Sequence, residues 1–348
     1  MEKIRADVLV VGAGPAGSTC AWELSKRGAK VILVDFKRAV GVPVQCAEFV
    51  PAQLFNSFPQ LFTDKAIAQR VEKMIHFTPW GDVVEMSSPG YVLNREVFDS
   101  HIAQLAVKEG AQLFLRCIFL GFQDGVCLVE EIDTRRRFTV DADMVVGADG
   151  PRSRVAKLTG GGCSHFLTTA QVTLPLRVPL KDLLIYFREY IPGGYGWVFP
   201  KGSVANVGVG LDPAFGINVM EALRTFLKEL LKEKVVEEKV LKRTGGWIPA
   251  DGLIRPVRGK VLLVGDAGGF CHPITGGGIA NAVMSGSMAG KALAEGKPEE
   301  FQEEAEDVFG PSINRAAIKR KLHMKSWDDL KKIIPITWIA FDEYWRVL

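Results

Sequence analysis

The chain has 348 residues, 47% hydrophobic and 24% charged, enough to bury a large core and long for a single simple domain. Lys and Arg number 43 against 40 Asp and Glu, a formal net charge of +3, which gives no ground for a polyanionic partner such as nucleic acid. Cys20, Cys46, Cys117, Cys127, Cys163 and Cys271 form no CxxC pair or metal spacing, no charged-then-apolar leader precedes the first strand, and no apolar run reaches the ~20 residues of a bilayer crossing, so a cytoplasmic chain without bound metal is expected.

The first organised element is the apolar run ADVLVV (6–11), which feeds Gly12, Gly14 and Gly17, then a helical stretch over 18–28 and a second apolar run, KVILVD (30–35). Strand, glycine turn, helix and strand-terminal acid form the βαβ dinucleotide fingerprint. Gly12 permits the tight turn, Gly14 lets backbone approach a pyrophosphate, Gly17 lets helix pack on strand, and Asp35 can bond ribose hydroxyls. An acid there opposes a ribose 2′-phosphate, favouring FAD or NAD over NADP. Past this unit, GVPVQCAE (41–48) holds Cys46 in a loop stiffened by Pro43, with no other cysteine near it in sequence.

Residues 71–93 read as short strands (74–78, 82–86 and 91–93) with turns at Pro79-Trp80-Gly81 and Pro89-Gly90. Arg95 opens the next helical stretch, and MVVGADGPRS (144–153) is a buried strand ending in Asp149-Gly150. Strands follow at 169–174, 183–188 and 204–211, and among them PGGYGWVFPK (192–201) sets Tyr195, Trp197 and Phe199 on one side by period-two alternation. Apolar residues from Ile217 to Leu231 share one 3.6-residue face and predict a helix over 217–234. The strand at 260–264 ends in Gly265-Asp266, and CHPITGGGI (271–279) enters a small-residue helix. The glycine run 276–278 presents amides at that helix start, suited to a phosphate or an anionic flavin edge. Taken singly, Asp149 and Asp266 read equally well as turn or cap residues. After a break at Gly310-Pro311 the tail is basic (319–321, Lys325, 331–332) and then aromatic (Trp338, Phe341, Tyr344, Trp345). That pattern suits an anionic membrane interface; the alternative is a helical cap packed on the first domain.

The fold class these elements predict is α/β: a Rossmann-like FAD-binding domain (1–70, 94–158 and 255–297), an antiparallel β-sheet substrate domain inserted in two pieces (71–93 and 159–254), and a C-terminal helical segment (298–348). Such an insertion puts a ligand site at the seam.

Together, GAGPAG, GADGPRS and VLLVGDAGGF with the following P and GGGI resemble the three-part FAD signature of the para-hydroxybenzoate hydroxylase type of flavoprotein. GGYGWVFP resembles the YxWxFP motif of the geranylgeranyl reductase family, and GVPVQCAE resembles that family's cysteine segment after the second strand. Flavin-dependent halogenases carry a related GWxWxIP string, from which this chain departs by having one tryptophan, preceded by Tyr195. The resemblance implies a reductase that saturates carbon–carbon double bonds of an isoprenoid chain by hydride from flavin N5, with NAD(P)H or a ferredoxin-like protein as electron donor; the peripheral membrane contact expected alongside rests on the tail's composition. The resemblance also implies non-covalent FAD held by Gly12, Gly14, Ala16, Gly17, Asp35, Arg38, Cys46, Ala47, Arg95, Asp149, Gly150, Gly265, Asp266, Pro273, Gly276, Gly277, Gly278 and Ile279, with Tyr195 and Trp197 beside the flavin. Cys46 is then expected at the flavin edge, where a thiol of ordinary pKa ~8.5 can relay a proton supplied by Glu48 or water; a small apolar filler is its bland alternative. The strands at 169–176 and 183–199 and the helix at 217–234 are expected to line an apolar tunnel, or to be ordinary core. A flavin monooxygenase or halogenase, a dehydrogenase feeding a quinone, and a flavin-bound lipid carrier stay open as alternatives.

Overall fold

The computed structural model describes residues 2–346; the side chains of Met324, Lys325 and Ser326 lie outside the described set. The strand β1 (Glu2–Val11), the helix α1 (Pro15–Ser25) and the strand β2 (Val31–Asp35) form the expected βαβ unit. α1 is buried along its whole length, so it needs no polar face. Then come β3 (Phe49–Pro51), α2 (Ala52–Ser57), a long hairpin of β4 (Ile67–Phe77) and β5 (Val83–Leu93), and α3 (Arg95–Lys108). The chain continues through β6 (Gln112–Leu115), β7 (Cys117–Gln123), β8 (Val126–Glu131), β9 (Arg137–Gly147) and α4 (Arg154–Leu158). The central part holds β10 (Phe166–Pro175), β11 (Leu183–Tyr186), β12 (Tyr195–Lys201), β13 (Val204–Leu211), α5 (Val219–Lys232) and β14 (Lys242–Pro249). It closes with β15 (Val257–Arg258), β16 (Val261–Leu263), α6 (Ile279–Ala294), α7 (Pro298–Ser326), α8 (Leu330–Thr337) and α9 (Asp342–Arg346).

Two sheets result. The first runs β15-β16-β9-β1-β2-β6, parallel from β16 to β6, with β7 and β8 added antiparallel beside β9. The second runs β14-β10-β13-β12-β11-β4-β5-β3. It is antiparallel as expected except where β11 lies parallel to β4, the line along which its two inserted pieces join. The second sheet also begins earlier than residue 71, because β4 starts at Ile67 and β3 covers the free edge of β5. The expected turn at Pro89-Gly90 falls inside β5. Pro89 sits in an irregular stretch of the ladder where a missing N–H does no harm, and a Cβ on Gly90 would stand 2.3 Å from Val50 O.

The small-residue helix α6 packs on α1, where a Cβ at Gly286 would come within 2.2 Å of Ala16 O and one at Gly290 within 2.7 Å of Glu23 Cβ. The expected break at Gly310-Pro311 is absent, since α7 runs straight through it. Phe301, Ala305, Phe309 and Ile313 recur every four residues and bury a stripe against the first domain's core, which outweighs the ~3 kcal/mol that an interior proline costs.

The C-terminal half of α7 and all of α8 cover one face of the second sheet, where Trp327, Leu330, Ile333, Ile334 and Trp338 pack with Trp197 and Phe199. A directed hydrogen-bond chain pins them. Arg320 donates to Asp212 Oδ2 (3.1 Å) and to His323 Nδ1 (3.4 Å), His323 Nε2 donates to Thr337 Oγ1 (2.6 Å), and that hydroxyl donates to Ile333 O (2.6 Å). The described part of the tail is therefore a cap, seated chiefly on the second sheet. Of its expected interfacial residues Lys319, Arg320, Trp338 and Tyr344 are buried, Trp345 is 62% exposed, and Lys325 lies outside the described side chains. Among the described residues no helix is long and apolar enough to cross a membrane.

Candidate functional site

Three strand ends meet at the glycine turn. Gly12 has φ 105°, and a Cβ on it would sit 2.3 Å from Ala148 O; one on Gly17 would sit 1.9 Å from Gly12 O. Only glycine lets this turn close. Gly14, the N-cap of α1, has nothing within 4 Å of where a Cβ would be, so it is the open member of the three, at a helix start suited to a phosphate. A Cβ on Gly265 would stand 2.9 Å from Ala16 Cβ, so the third strand end abuts the turn after the first. Asp35 accepts the amides of Ala13 (2.7 Å) and Lys37 (2.8 Å), one on each carboxylate oxygen, which fixes the acid beside the turn with a lone pair left on each oxygen. Arg38 is exposed past the end of β2.

The two strand-terminal Asp-Gly pairs part company. Asp149 accepts the Ser153 hydroxyl and the amides of Arg154 (2.7 Å) and Val155 (3.2 Å), so it fastens the turn that leads into α4, whose N-cap is Ser153. Gly150, at φ 81°, is open on its outer side. The Asp266 carboxylate receives no hydrogen bond among the described residues; burial pushes it up to about 6, against the pull of Arg95. The loop after it is drawn tight by His272, whose carbonyl accepts the Gly276 amide (2.9 Å) and whose amide donates to Gly277 O (3.0 Å) around the buried Pro273. Gly278 caps α6, and the first-turn amides from Ile279 onward face outward from the helix start.

The cysteine loop crosses from the first sheet to the second through a cis Val42–Pro43 peptide. Glu48 anchors it. The residue is 4% exposed with φ 76°, a left-handed conformation costing about 1 to 2 kcal/mol, and its carboxylate accepts Lys201 Nζ (2.6 Å), Asn206 Nδ2 (2.6 Å) and the Arg95 amide (2.9 Å). A carboxylate so engaged is a fastener between α3, β12 and β13, and it is not free to feed protons. Cys46 Sγ accepts the Glu48 amide (3.2 Å), and the Ala47 carbonyl accepts from Asn206 (3.4 Å). Arg95 lies beside the thiol while holding Asp99 with two hydrogen bonds (3.0 and 2.6 Å). Burial works against the Arg95 charge, but Asp99 and Cys46 outweigh it and raise its pKa. Burial pushes the Cys46 thiol up, with Arg95 opposing.

β12 closes the seam. The Tyr195 hydroxyl donates to Thr275 O in the loop before α6. Trp197 Nε1 donates to Gln171 Oε1 (2.9 Å), and Gln171 Nε2 donates to Cys46 O (3.0 Å). One strand thus holds both loops that bracket the site. The Trp197 ring lies over two bare positions of β13: a Cβ at Gly208 would stand 2.3 Å from it and one at Gly210 3.6 Å. Cys46 lies near Arg95, Tyr195 and Cys271, and Asp266 lies near Arg95 and Cys271, so these side chains share one neighbourhood at the seam. Gln171 and Cys271 carried no signal in the sequence. The alternate glycines of VANVGVGL facing YGWVFP were the legible hint of the tryptophan's seat.

The elements expected to line one tunnel lie on both faces of the sheet. Leu184 and Val198 face α5, whereas Leu183, Ile185 and Trp197 face the C-terminal helices. A groove of about 310 Å³ does open on the α5 side, between that helix, β10 and β14.

Residues 180–248 match the family model of the geranylgeranyl reductase catalytic domain, and residues 10–76 that of an NAD(P)-binding Rossmann-like domain. The digeranylgeranylglycerophospholipid reductase of Methanocella arvoryzae is 35% identical over 316 residues, covering 84% of this chain and 78% of its own. Digeranylgeranylglycerophospholipid reductase 1 of Methanopyrus kandleri is 33% identical over 377 residues, covering 97% and 99%. The crystal structure of a geranylgeranyl bacteriochlorophyll reductase-like protein from Thermoplasma acidophilum superposes with a TM-score of 0.87 at 27% identity, over 98% of this chain and 92% of that one.

Proposed function

The chain belongs to the geranylgeranyl reductase family, and on that premise we propose that it holds FAD non-covalently and reduces carbon–carbon double bonds in the isoprenoid chain of a lipid. The observation that carries this reading is the seam, where the glycine turn, the loop before α6, the cysteine loop and the aromatic strand converge.

The residues fit the cofactor. Gly14 and the start of α1 leave room for a pyrophosphate, Asp35 has lone pairs for ribose hydroxyls, Asp266 lacks a donor that a ribitol hydroxyl would supply, and the α6 amides suit an anionic ring edge. FAD in its reduced form supplies hydride to one alkene carbon, which requires the double bond to lie ~3 to 3.5 Å from the donor atom. Tyr195 and Trp197, each fixed by a hydrogen bond, wall the space where that bond is held. Cys46 Sγ carries the proton for the other carbon: burial keeps the thiol protonated, and Arg95 beside it stabilises the thiolate left behind. Water restores the proton, since Glu48 is bound on three sides.

Electrons come from NAD(P)H or a ferredoxin-like protein docking transiently, because the sequence holds no second dinucleotide turn. Access to a lipid calls for peripheral contact with a membrane surface, for which the exposed Trp345, Lys331 and Lys332 are available.

The test is mass spectrometry of prenyl lipids, quinones and prenyl phosphates after anaerobic incubation with the FAD-loaded protein and a strong reductant. Mass gains in steps of two hydrogens are expected. No gain on any of them, with an oxygenated or halogenated product in air, would move the protein to the monooxygenase side.

A further inference from the structure

The groove of about 310 Å³ on the α5 side of the second sheet is apolar inside and carries one free cation. Ala170 and Val172 of β10 and Gly245 of β14 form its floor, Val219 and Met220 of α5 its wall, and Arg243 of β14 its rim. Arg243 pairs in register with Val172, so its side chain stands on the groove face, where it is exposed and makes no hydrogen bond or ion pair among the described residues. Its neighbour Lys242 is taken by Glu96 (2.5 Å). No carboxylate lines the groove, and Met220 stays 38% exposed at its mouth.

These surfaces specify an amphipathic anion. The volume is that of a small-molecule site, whereas a stable protein partner needs on the order of 800 Å² of surface on each side. An added strand would find a poor template in Lys242, Arg243, Gly245 and Gly246, since edge charges and bare glycines weaken pairing. Aliphatic surfaces favour a hydrocarbon chain over a sugar or a base, and a free guanidinium favours a phosphate, which it grips with two parallel hydrogen bonds.

The groove lies back to back with the seam. Thr244, turned to the other face of β14, donates to Val44 O of the cysteine loop (2.8 Å), and Gln171, turned to the other face of β10, donates to Cys46 O (3.0 Å). Further along β14, Ile248 shares that face: a Cβ at Gly276 would stand 3.0 Å from Ile248 Cδ1 and 3.8 Å from the Tyr195 hydroxyl oxygen. β14 is the end strand of its sheet, so groove and seam meet over one free edge. Resting on the reductase reading above, we propose that the groove is a second lipid site, which takes one isoprenoid chain of a phospholipid along its floor and the phosphate at Arg243. A two-chained lipid held so straddles the end strand, with its other chain on the side of Tyr195, Trp197 and Cys46.

The test is photo-crosslinking of the FAD-loaded protein to a glyceryl phosphate with two geranylgeranyl chains, one of them carrying a diazirine, followed by peptide mapping. Wild type should take label on α5 and β14 as well as at the seam, a result that needs no variant to fold. Removing the phosphate from the probe, or Arg243→Ala in the protein, should each weaken labelling of the groove roughly 3- to 5-fold, and the two together no further, because both delete one contact. Met220→Glu, at an exposed position, should abolish the label on α5. Label confined to the seam, groove label indifferent to the phosphate, label that appears only when vesicles are present, or a groove shielded by a second copy of the chain overturns the inference. If a prenyl compound is still reduced without groove label, the reductase reading survives and the groove inference falls; groove label without any reduction reverses the two.

Discussion

The second sheet presents opposite chemistry on its two faces. Toward α5 the strands offer Val172, Leu174, Leu184, Val198, Val207 and Val209, closed over by Phe226 and Leu230. Toward the first domain and the C-terminal cap the same strands offer Gln171, Asn206, Trp197, Tyr195 and His76, of which Gln171, Asn206 and Tyr195 bond to loops from far along the chain. Period-two alternation makes this division possible. The difference teaches that one face supplies stability and the other position, and that one residue's change should disturb one without the other.

The largest expected effect lies on the aliphatic face. Phe226 is fully buried under Gly196, and Phe226→Ala should cost about 3 to 5 kcal/mol in urea unfolding while turnover per folded molecule stays close to wild type. Loss of turnover at matched folded fraction would break the division. Next comes Cys46→Ala, expected to keep FAD and its reduction by the donor yet lower alkene turnover about 100-fold. Equal turnover in single-turnover assays would return Cys46 to a packing role. Trp197→Phe removes the donor to Gln171 and should lower turnover about 10-fold, the equivalent of roughly 1 to 1.5 kcal/mol of hydrogen bonding. Gln171→Leu should do the same, and the double variant should be no worse than either single one, since both act through the Cys46 carbonyl.

A pH dependence of stability sharpens the same comparison. The Asp266 carboxyl titrates near 6 in the fold against ~3.9 when unfolded, so FAD-free protein loses this group's contribution as pH rises from 4 through 6. His76 and His272, near 4 in the fold against ~6.5 unfolded, work the other way and withdraw stability as pH falls through that range. Calorimetry should therefore show Asp266→Asn gaining on wild type in Tm between pH 4 and 7. A constant difference would mean that the carboxyl titrates normally.

What the sequence disclosed follows the range of the interactions. The turn at Gly12, Gly14 and Gly17 is built from residues within one βαβ unit, so spacing alone reveals it. The aromatic side of β12 is legible for the same reason. The bond from Gln171 to Cys46 spans 125 positions and that from Asn206 to Glu48 spans 158, and no periodicity records either. Proline and glycine misled in proportion to their surroundings: Pro89-Gly90 and Gly310-Pro311 suggest local endings, and packing by Phe49 and by Phe301 to Ile313 carries the strand and the helix through them. The basic, aromatic tail read equally as an interface or as a cap because composition does not say which way a side chain turns; Arg320 turns inward, bonded to Asp212.

Gly208 touches no ligand and has no side chain with which to do so. Its bare backbone nevertheless seats the Trp197 indole, which a methyl group there would meet at 2.3 Å. Lifting that ring would pull on the Gln171 amide and, one hydrogen bond further, on the carbonyl of Cys46. In a saturation mutagenesis screen for activity, this unadorned strand position should score among the least tolerant in the protein, alongside residues that meet the substrate directly.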